Sequence, residues 1–355
     1  MERRLTELEP ELGGRLHAGR SRNDQVALDL RLYTRAAAST LAGLLGEVVE
    51  ALAAKAGAYA ADPMPGYTHL QRGQPVTAGH ILLAHAEPLL RDGIRVKAAH
   101  DAAGEMPLGS AALAGSTLPI DRATVAGALG FRRLTLNSID AVADRDFLLD
   151  LLHACASIAI HLSRLGEEIV LWASTEFGFL RLADEIATGS SIMPQKRNPD
   201  IAELLRGRSG RALSAYVGLA TVLKGLPLAY DRDLQEDKVH TFAAAASCID
   251  SLQVARLVAN YLEFDRERLA GAAADPDLLA TDSAEKAVAE GRPFREAHSE
   301  IGLRVLEGRH EPPWDVAESL RRRDAIGGPH PARVAAAART ARRKAAALRG
   351  WAEGR

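Results

Sequence analysis

The twelve residues from Gly189 to Asp200, GSSIMPQKRNPD, combine side chains that could move a proton and hold negative charge. They include a weak nucleophile or base in Ser190 and Ser191, a cation in Lys196 and an amide in Asn198. Glycine permits unusual backbone angles and proline fixes its own φ, so this composition predicts a shaped loop. The set suits a reaction that removes a proton beside a carboxylate, because a cation and an amide can stabilise the developing charge.

A second polar segment, GRSRNDQ from Gly19 to Gln25, directly precedes a helical pattern. Its arginines offer paired donors that match the geometry of a carboxylate. Ser21, Arg22 and Asn23 are therefore candidate contacts for a dicarboxylic substrate. The alternative is that Asn23 or Asp24 simply caps the following helix.

A third segment, YTHLQR, places His69 beside the hydroxyl of Thr68, between two helical patterns. Histidine titrates near neutrality and can therefore act as a general acid or base. Glu203 lies one turn into the helix predicted behind Pro199, and it would raise the basicity of His69 if the two side chains met. Each residue also has a structural interpretation, since an acid in a first helical turn is favoured by the helix dipole.

A fourth segment carries Tyr230, Gln235 and Lys238 around a polar turn that follows the apolar stretch 226–228. Together these side chains offer a hydroxyl, an amide and an ammonium group for substrate binding. Taken one at a time, they would be ordinary surface residues.

The sequence predicts a helical scaffold for these loops. Strand signals are nearly absent, whereas apolar residues recur with helical spacing over about 26–60, 75–103, 142–175, 199–224 and 235–263. Stretches rich in alanine and glycine favour close helix approach in a parallel-sided bundle. We expect an all-α protein with a central bundle domain over residues 1–263 and a small C-terminal helical domain over 264–355. The basic tail 333–349 predicts an exposed C-terminal helix.

The composition argues against several classes of partner. The formal net charge is −2 with acids and bases interspersed, which gives no electrostatic case for binding nucleic acid or an anionic membrane. We expect no apolar run to reach the length of a membrane span. Cys155 and Cys248 match no metal or redox spacing, which predicts a reduced, cytosolic setting with both thiols as small core or surface residues.

These segments occur in an order that resembles the argininosuccinate lyase family of the fumarase/aspartase superfamily. Residues 189–198 match the superfamily pattern G-S-S-x-M-P-x-K-x-N. GRSRNDQ and PQKRNPD are similar to argininosuccinate lyases rather than to fumarase, aspartase or adenylosuccinate lyase. The similarity runs from about residue 2 to about residue 302, with a weaker match in RRDAIGGPHPARV.

The resemblance implies elimination of fumarate from argininosuccinate to give arginine, the last step of arginine biosynthesis, without a cofactor or metal. It implies four catalytic residues: Ser190, His69, Glu203 and Lys196. It implies eight substrate-binding residues: Ser21, Arg22, Asn23, Thr68, Asn198, Tyr230, Gln235 and Lys238. The sequence leaves open which of Ser190 and His69 accepts the proton. Arg145 matches a family arginine that we interpret as structural or supporting.

The resemblance also implies a cytoplasmic homotetramer with a twenty-helix core, in which each active site draws loops from three subunits. Family members begin with a further helical segment, so we expect this chain to lack it or to retain it only in residues 1–20. The region beyond the helix with residues 294–298 is shorter than the family pattern. Two alternatives stay open: a lyase for another amino-succinate such as adenylosuccinate, and a catalytically impaired or structural, crystallin-like member.

Overall fold

Long antiparallel helices form the centre of the protein. The computed structural model describes residues 2–354. Its helices are α1 (Glu2–Leu8), α2 (Pro10–Arg15), α3 (Arg22–Ala58), α4 (Ala78–Ala102), α5 (Arg122–Ala128), α6 (Ser138–Ala143), α7 (Asp146–Ala173), α8 (Asp200–Leu223), α9 (Asp237–Tyr261), α10 (Arg266–Ala273), α11 (Ala280–Ala289), α12 (Phe294–Leu306), α13 (Val316–Arg322) and α14 (Pro331–Glu353).

The strands are short and pair two by two. They are β1 (Pro63–Thr68), β2 (Gln71–Thr77), β3 (Glu105–Met106), β4 (Arg133–Leu134), β5 (Leu180–Arg181), β6 (Thr188–Gly189), β7 (Arg197–Asn198) and β8 (Glu263–Phe264). The antiparallel pairs are β1 with β2, β5 with β8 and β6 with β7, whereas β3 and β4 are parallel. The predicted all-α class is confirmed, and the five predicted long segments correspond to α3, α4, α7, α8 and α9.

Contacts near the helix ends establish that consecutive long helices run in opposite directions. Near the start of α3, the Nη1 of Arg31 donates a hydrogen bond to the carbonyl of Ala102 at the end of α4, 3.2 Å away. Arg145, just before α7, binds Asp237 at the start of α9. We call this side of the bundle the lower end.

The opposite side, which we call the upper end, carries the end of α3 and the starts of α4 and α8. There the backbone N–H of Phe264, which follows α9, donates to the Tyr59 hydroxyl at the end of α3, 3.2 Å away. Glycines allow close contact here: a Cβ built on Gly166 of α7 would lie 2.6 Å from the carbonyl oxygen of Ala202 in α8. Because that oxygen belongs to the backbone, a side chain could not displace it easily.

The last helix, α14, joins the central core. It packs along α3 and α4, and its buried residues recur at helical spacing: Val334, Ala338, Ala341, Ala345 and Leu348. Its opposite side is basic, and Arg342 binds Glu50 of α3 with an Nε–Oε1 distance of 2.7 Å. The predicted C-terminal helix is therefore confirmed, but it is exposed on one side only. The division of the chain at residue 263 stays a prediction.

Three segments are long and apolar enough to cross a membrane by length and composition: α3, α7 and Arg232–Tyr261. The expectation that no apolar run reaches this length is therefore wrong. In α3 and α7, more than half of the apolar window is buried inside the bundle, 61% and 56% respectively. Packing against neighbouring helices accounts for the apolar character of these two segments. Cys155 and Cys248 are both buried in the same core.

The glycine contact between α7 and α8 gives a test of the packing. We expect Gly166→Ala to lower the free energy of unfolding by about 1–3 kcal/mol, because its methyl group would collide with the backbone of α8. Gly302→Ala in α12 is the matched control, since a Cβ there meets no atom within 4 Å. Helix propensity alone should make the control more stable by up to about 1 kcal/mol. Chemical denaturation of both variants measures the difference, and equal stabilities would contradict the close approach.

Candidate active site

Residues 188–198 form a small hairpin at the upper end, between α7 and α8. Strands β6 and β7 pair so that residues 190–196 make the connecting tip. Arg197 binds Asp184 at 2.5 Å, and the Thr188 hydroxyl donates to the Asp200 carboxylate. These contacts hold both sides of the hairpin against its flanks, while most of the tip is exposed to solvent.

The structure distinguishes the two neighbouring serines of this tip. The Oγ of Ser190 accepts hydrogen bonds from the backbone N–H groups of Ile192, at 3.3 Å, and Met193, at 3.1 Å. Donors that point at an oxygen stabilise negative charge on it. Ser191 is exposed, and in the described part of the chain its hydroxyl makes no such bond. Of the two serines, Ser190 therefore has the hydroxyl oxygen whose surroundings would better stabilise a negative charge.

His69 lies at the tip of a second hairpin, formed by β1 and β2. Thr68 pairs with Gln71, so His69 and Leu70 are the two turn residues. Both have left-handed backbones, with φ of 57° and 56°. Two-residue hairpin turns of this kind favour Asn-Gly, because other side chains are strained there. The third segment was expected to be a loop between helices; it is instead the tip of a hairpin that exposes Thr68 and His69.

Glu203 and His69 do not meet within one chain. Glu203 is exposed in the first turn of α8, and no hydrogen bond or ion pair joins it to His69 among residues 2–354. The hairpin that carries His69 packs instead against α10 and α13. The predicted carboxylate–imidazole pair is thus absent from the described protomer.

Ser21 and Asn23 lie at the lower end, where α3 begins. Ser21 is the N-cap, and its Oγ accepts a hydrogen bond from the Asn23 N–H at 3.2 Å. The alternative that Asn23 or Asp24 simply caps the helix is therefore wrong. Asp24 completes the capping box by accepting from the Ser21 N–H at 3.0 Å, and it is fully buried.

Asp24 also fixes a loop that sequence reasoning did not assign to the site. Its Oδ2 accepts hydrogen bonds from the N–H groups of Gly109, at 3.0 Å, and Ala111, at 2.8 Å. Both of these residues have positive φ. One carboxylate therefore holds the start of α3 and the loop 107–119 together. The position of Asp24 three residues after Ser21 signals its part in the helix cap, but nothing local in the sequence signals its contact with the loop 107–119.

Tyr230, Gln235 and Lys238 lie at the lower end as well, before and at the start of α9. Gln235 is exposed at the end of a short 3₁₀ helix, and Tyr230 is half-buried behind Ala229, whose φ is 69°. The Nζ of Lys238 lies 2.6 Å from the Oδ1 of Asp237. Sequence reasoning missed Asp237, although it directly precedes Lys238.

The predicted site residues therefore fall into two groups. The lower group contains Ser21, Arg22, Asn23, Tyr230, Gln235 and Lys238, and the upper group contains Thr68, His69, Ser190, Lys196, Asn198 and Glu203. The two groups are separated by the length of a helix such as α8, whose 24 residues span about 35 Å. A small substrate cannot contact both groups of one chain.

A cavity of about 300 Å³ lies beneath the His69 hairpin, between α4 and α7. Among its lining residues, burial lowers the pKa of His80, and His85 lies 2.8 Å from Glu168. None of the twelve predicted site residues lines it. Within residues 2–354 the structure has no group of three or more His, Cys, Asp or Glu side chains able to hold a metal ion.

The bundle has the fold of known lyases. It matches the crystal structure of EDDS lyase in complex with formate with a TM-score of 0.91 at 27% identity, over 99% of this chain and 77% of that one. It also matches class II fumarase from Schistosoma mansoni with a TM-score of 0.65 at 19% identity, over 81% and 68% of the two chains, which supports the fold alone. Residues 2–214 match a protein family described as Lyase.

Sequence comparison shows which family of lyases the chain resembles. The chain is 51% identical to the argininosuccinate lyase of Bartonella bacilliformis over 86% of its length and 66% of the relative. It is 52% identical to that of Frankia casuarinae over 90% and 68% of the two chains. It is 46% identical to the argininosuccinate lyase of Anaeromyxobacter dehalogenans, over 95% of this chain and 77% of that one. The chain belongs to the argininosuccinate lyase family, and it spans about two thirds of the length of the first two of these relatives.

The left-handed turn of the His69 hairpin gives a second test. We expect Leu70→Gly to be more stable than Leu70→Ala by about 1 kcal/mol, because alanine keeps the unfavourable positive φ and glycine does not. Both substitutions remove the same leucine side chain, which is 65% exposed, so their difference isolates the backbone effect. Thermal or chemical unfolding measures it. A more stable alanine variant would show that the turn is not left-handed in solution.

Proposed function

We propose that the protein is an argininosuccinate lyase that reversibly eliminates fumarate from argininosuccinate and releases arginine. The observation that carries this proposal is the 46–52% identity to enzymes of that name over 86–95% of the chain. The signature segment 189–198 and the segment 19–25 support it, because both retain the polar residues that such a reaction needs.

The proposed chemistry begins with removal of a proton from the carbon next to a substrate carboxylate. Ser190 is the candidate base, and the N–H groups of Ile192 and Met193 would stabilise its alkoxide. Lys196 and Asn198 would hold the negative charge that accumulates on the carboxylate. His69, oriented by Glu203, would protonate the departing guanidinium nitrogen. In the alternative assignment, His69 accepts the proton from carbon and Ser190 supplies the proton to the departing nitrogen.

The lower group would bind the rest of the substrate, together with Thr68 of the upper group. Arg22 and Lys238 supply positive charge for carboxylates, and Tyr230 and Gln235 supply neutral hydrogen bonds. Ser21 and Asn23 lie at the N-terminus of α3, where backbone N–H groups and the helix dipole favour an anion.

We infer that complete sites form between copies of the chain in a homotetramer. The separation of the two residue groups within one protomer supports this inference, since antiparallel packing of a second copy brings an upper end beside a lower end. The outer faces of α8 and α9 also support it, because they expose apolar residues at helical spacing: Leu213, Val217, Val239, Phe242, Leu257 and Tyr261. Such surfaces are usually covered in an assembly.

We also propose that the enzyme is cytoplasmic and acts on a small molecule, and its two free cysteines fit a reducing compartment. Its net charge of −2 gives no electrostatic basis for binding nucleic acid or an anionic membrane. A lyase for another amino-succinate is the second candidate, and the fold match to EDDS lyase favours it to a lesser degree, at 27% identity. A structural, crystallin-like role is disfavoured by the retention of Ser190, His69 and Lys196.

Fumarate release tests the reaction and its active residues together. We expect the purified chain to release fumarate from argininosuccinate and not from adenylosuccinate, as followed by ultraviolet absorbance. Ser190→Ala and His69→Asn should each lower turnover by about a hundredfold or more, because each removes a proton-transfer group. Circular dichroism and size-exclusion chromatography check that both variants keep their fold and assembly.

Ser191→Ala is the discriminating variant, since Ser191 lacks the two N–H donors that Ser190 has. It should lose much less activity than Ser190→Ala. A larger loss in Ser191→Ala would assign the base to the other serine. Turnover of adenylosuccinate alone would overturn the proposed substrate.

A further inference from the structure

Lys238 is held by a chain of buried charges that runs inward from the lower end. Its Nζ donates to the Oδ1 of Asp237 at 2.6 Å and to the carbonyl of Leu234 at 3.3 Å. The other carboxylate oxygen of Asp237 accepts from the Nε of Arg145 at 2.7 Å. The side chains of Arg145 and Asp237 have no solvent exposure, whereas that of Lys238 is 35% exposed.

Arg145 is itself fixed by the backbone. Its Nη1 donates to the carbonyls of Val142, at 3.0 Å, and Asp144, at 2.9 Å, just before α7 begins. The carboxylate of Asp237 stands at the first residue of α9, where the helix dipole also favours a negative charge. Asp237 therefore has a fixed position, and so does the ammonium group bound to it.

This arrangement leaves Lys238 with two hydrogen bonds directed inward and one N–H unused. A free lysine side chain loses rotamer entropy when it is held in one conformation. Here the protein has already ordered the side chain, so a ligand anion that binds the remaining N–H does not have to order it.

We propose that Arg145 and Asp237 are positioning residues that act through Lys238 to set its affinity for a substrate carboxylate. This inference rests on the proposed function, in which Lys238 binds substrate. An ion pair that only stabilised the packing of α7 and α9 would also be buried. The test therefore has to separate an effect on the position of Lys238 from an effect on the stability of the fold.

The first measurement does not need catalysis. Competitive acetylation with mass spectrometry compares the labelling rate of Lys238 in the wild-type chain and in Asp237→Asn. Loss of the ion pair should raise this rate about tenfold, because the amine is no longer held by a buried carboxylate. The control is Lys286 in Glu290→Gln, an exposed pair at 2.8 Å, whose labelling should change less than about twofold. An unchanged Lys238 rate in Asp237→Asn overturns the proposal.

The second measurement is kinetic. Asp237→Asn and Arg145→Lys should raise the KM for argininosuccinate about tenfold, with kcat per folded molecule within about threefold of wild type. In a Lys238→Met background, neither substitution should change KM further, because the group that they position is gone. A structural role predicts the opposite result, in which KM is unchanged in the single variants or the effects add in the double variants.

If Asp237→Asn does not fold, the double variant Arg145→Met/Asp237→Leu replaces the whole buried pair by apolar groups, which proteins often tolerate. It should keep its fold, label rapidly at Lys238 and show the raised KM. Rapid labelling with a normal KM overturns the proposal while the lyase assignment stands. A wild-type chain that releases no fumarate overturns the proposed function, and the labelling result then reports only on the ion pair.

Discussion

The alternating direction of the long helices determines which polar loops lie at the same end of the bundle. Arg31 contacts the end of α4 at one side of the bundle, and Phe264 contacts the end of α3 at the other, so consecutive helices alternate in direction. Every connecting loop is thereby assigned to one end or the other. The twelve predicted site residues are divided between the two ends by about one helix length. In the proposed function, a complete site therefore requires at least two copies of the chain.

Two buried carboxylates and one hydroxyl oxygen organise the loops at these ends. Asp24 joins the start of α3 to the loop 107–119 through three backbone N–H groups. Asp237 fixes Lys238 and is held in turn by Arg145. At the upper end, Ser190 collects two backbone donors within its own tip. In each case an oxygen that carries or can develop negative charge organises backbone or side-chain donors around it, which orders the loop before any substrate binds.

Much of the scaffold was predictable from the sequence, because helical spacing and the absence of internal proline over α3 and α7 are local signals. The His69 hairpin was missed, since His-Leu is a poor turn sequence and the bulged pairing around Gly66 hides the strand pattern. The sequence did not identify Ser21 as the cap, because Ser, Asn and Asp are all good caps. Contacts distant in sequence, such as Asp24 with Ala111 and Arg145 with Asp237, have no local signal and required the structure.

We propose that the upper and lower groups of polar residues act together only when they come from different copies of the chain. Mixing two impaired variants tests this proposal: Ser190→Ala, altered in the upper group, and Lys238→Met, altered in the lower group, both assayed with argininosuccinate far below the raised KM of Lys238→Met. After the two proteins are unfolded and refolded together, some sites combine an intact upper group with an intact lower group, so fumarate release from argininosuccinate should return. If the mixture releases fumarate no faster than the two variants refolded separately, although mixed oligomers form, each site is built within a single chain and the proposal is wrong.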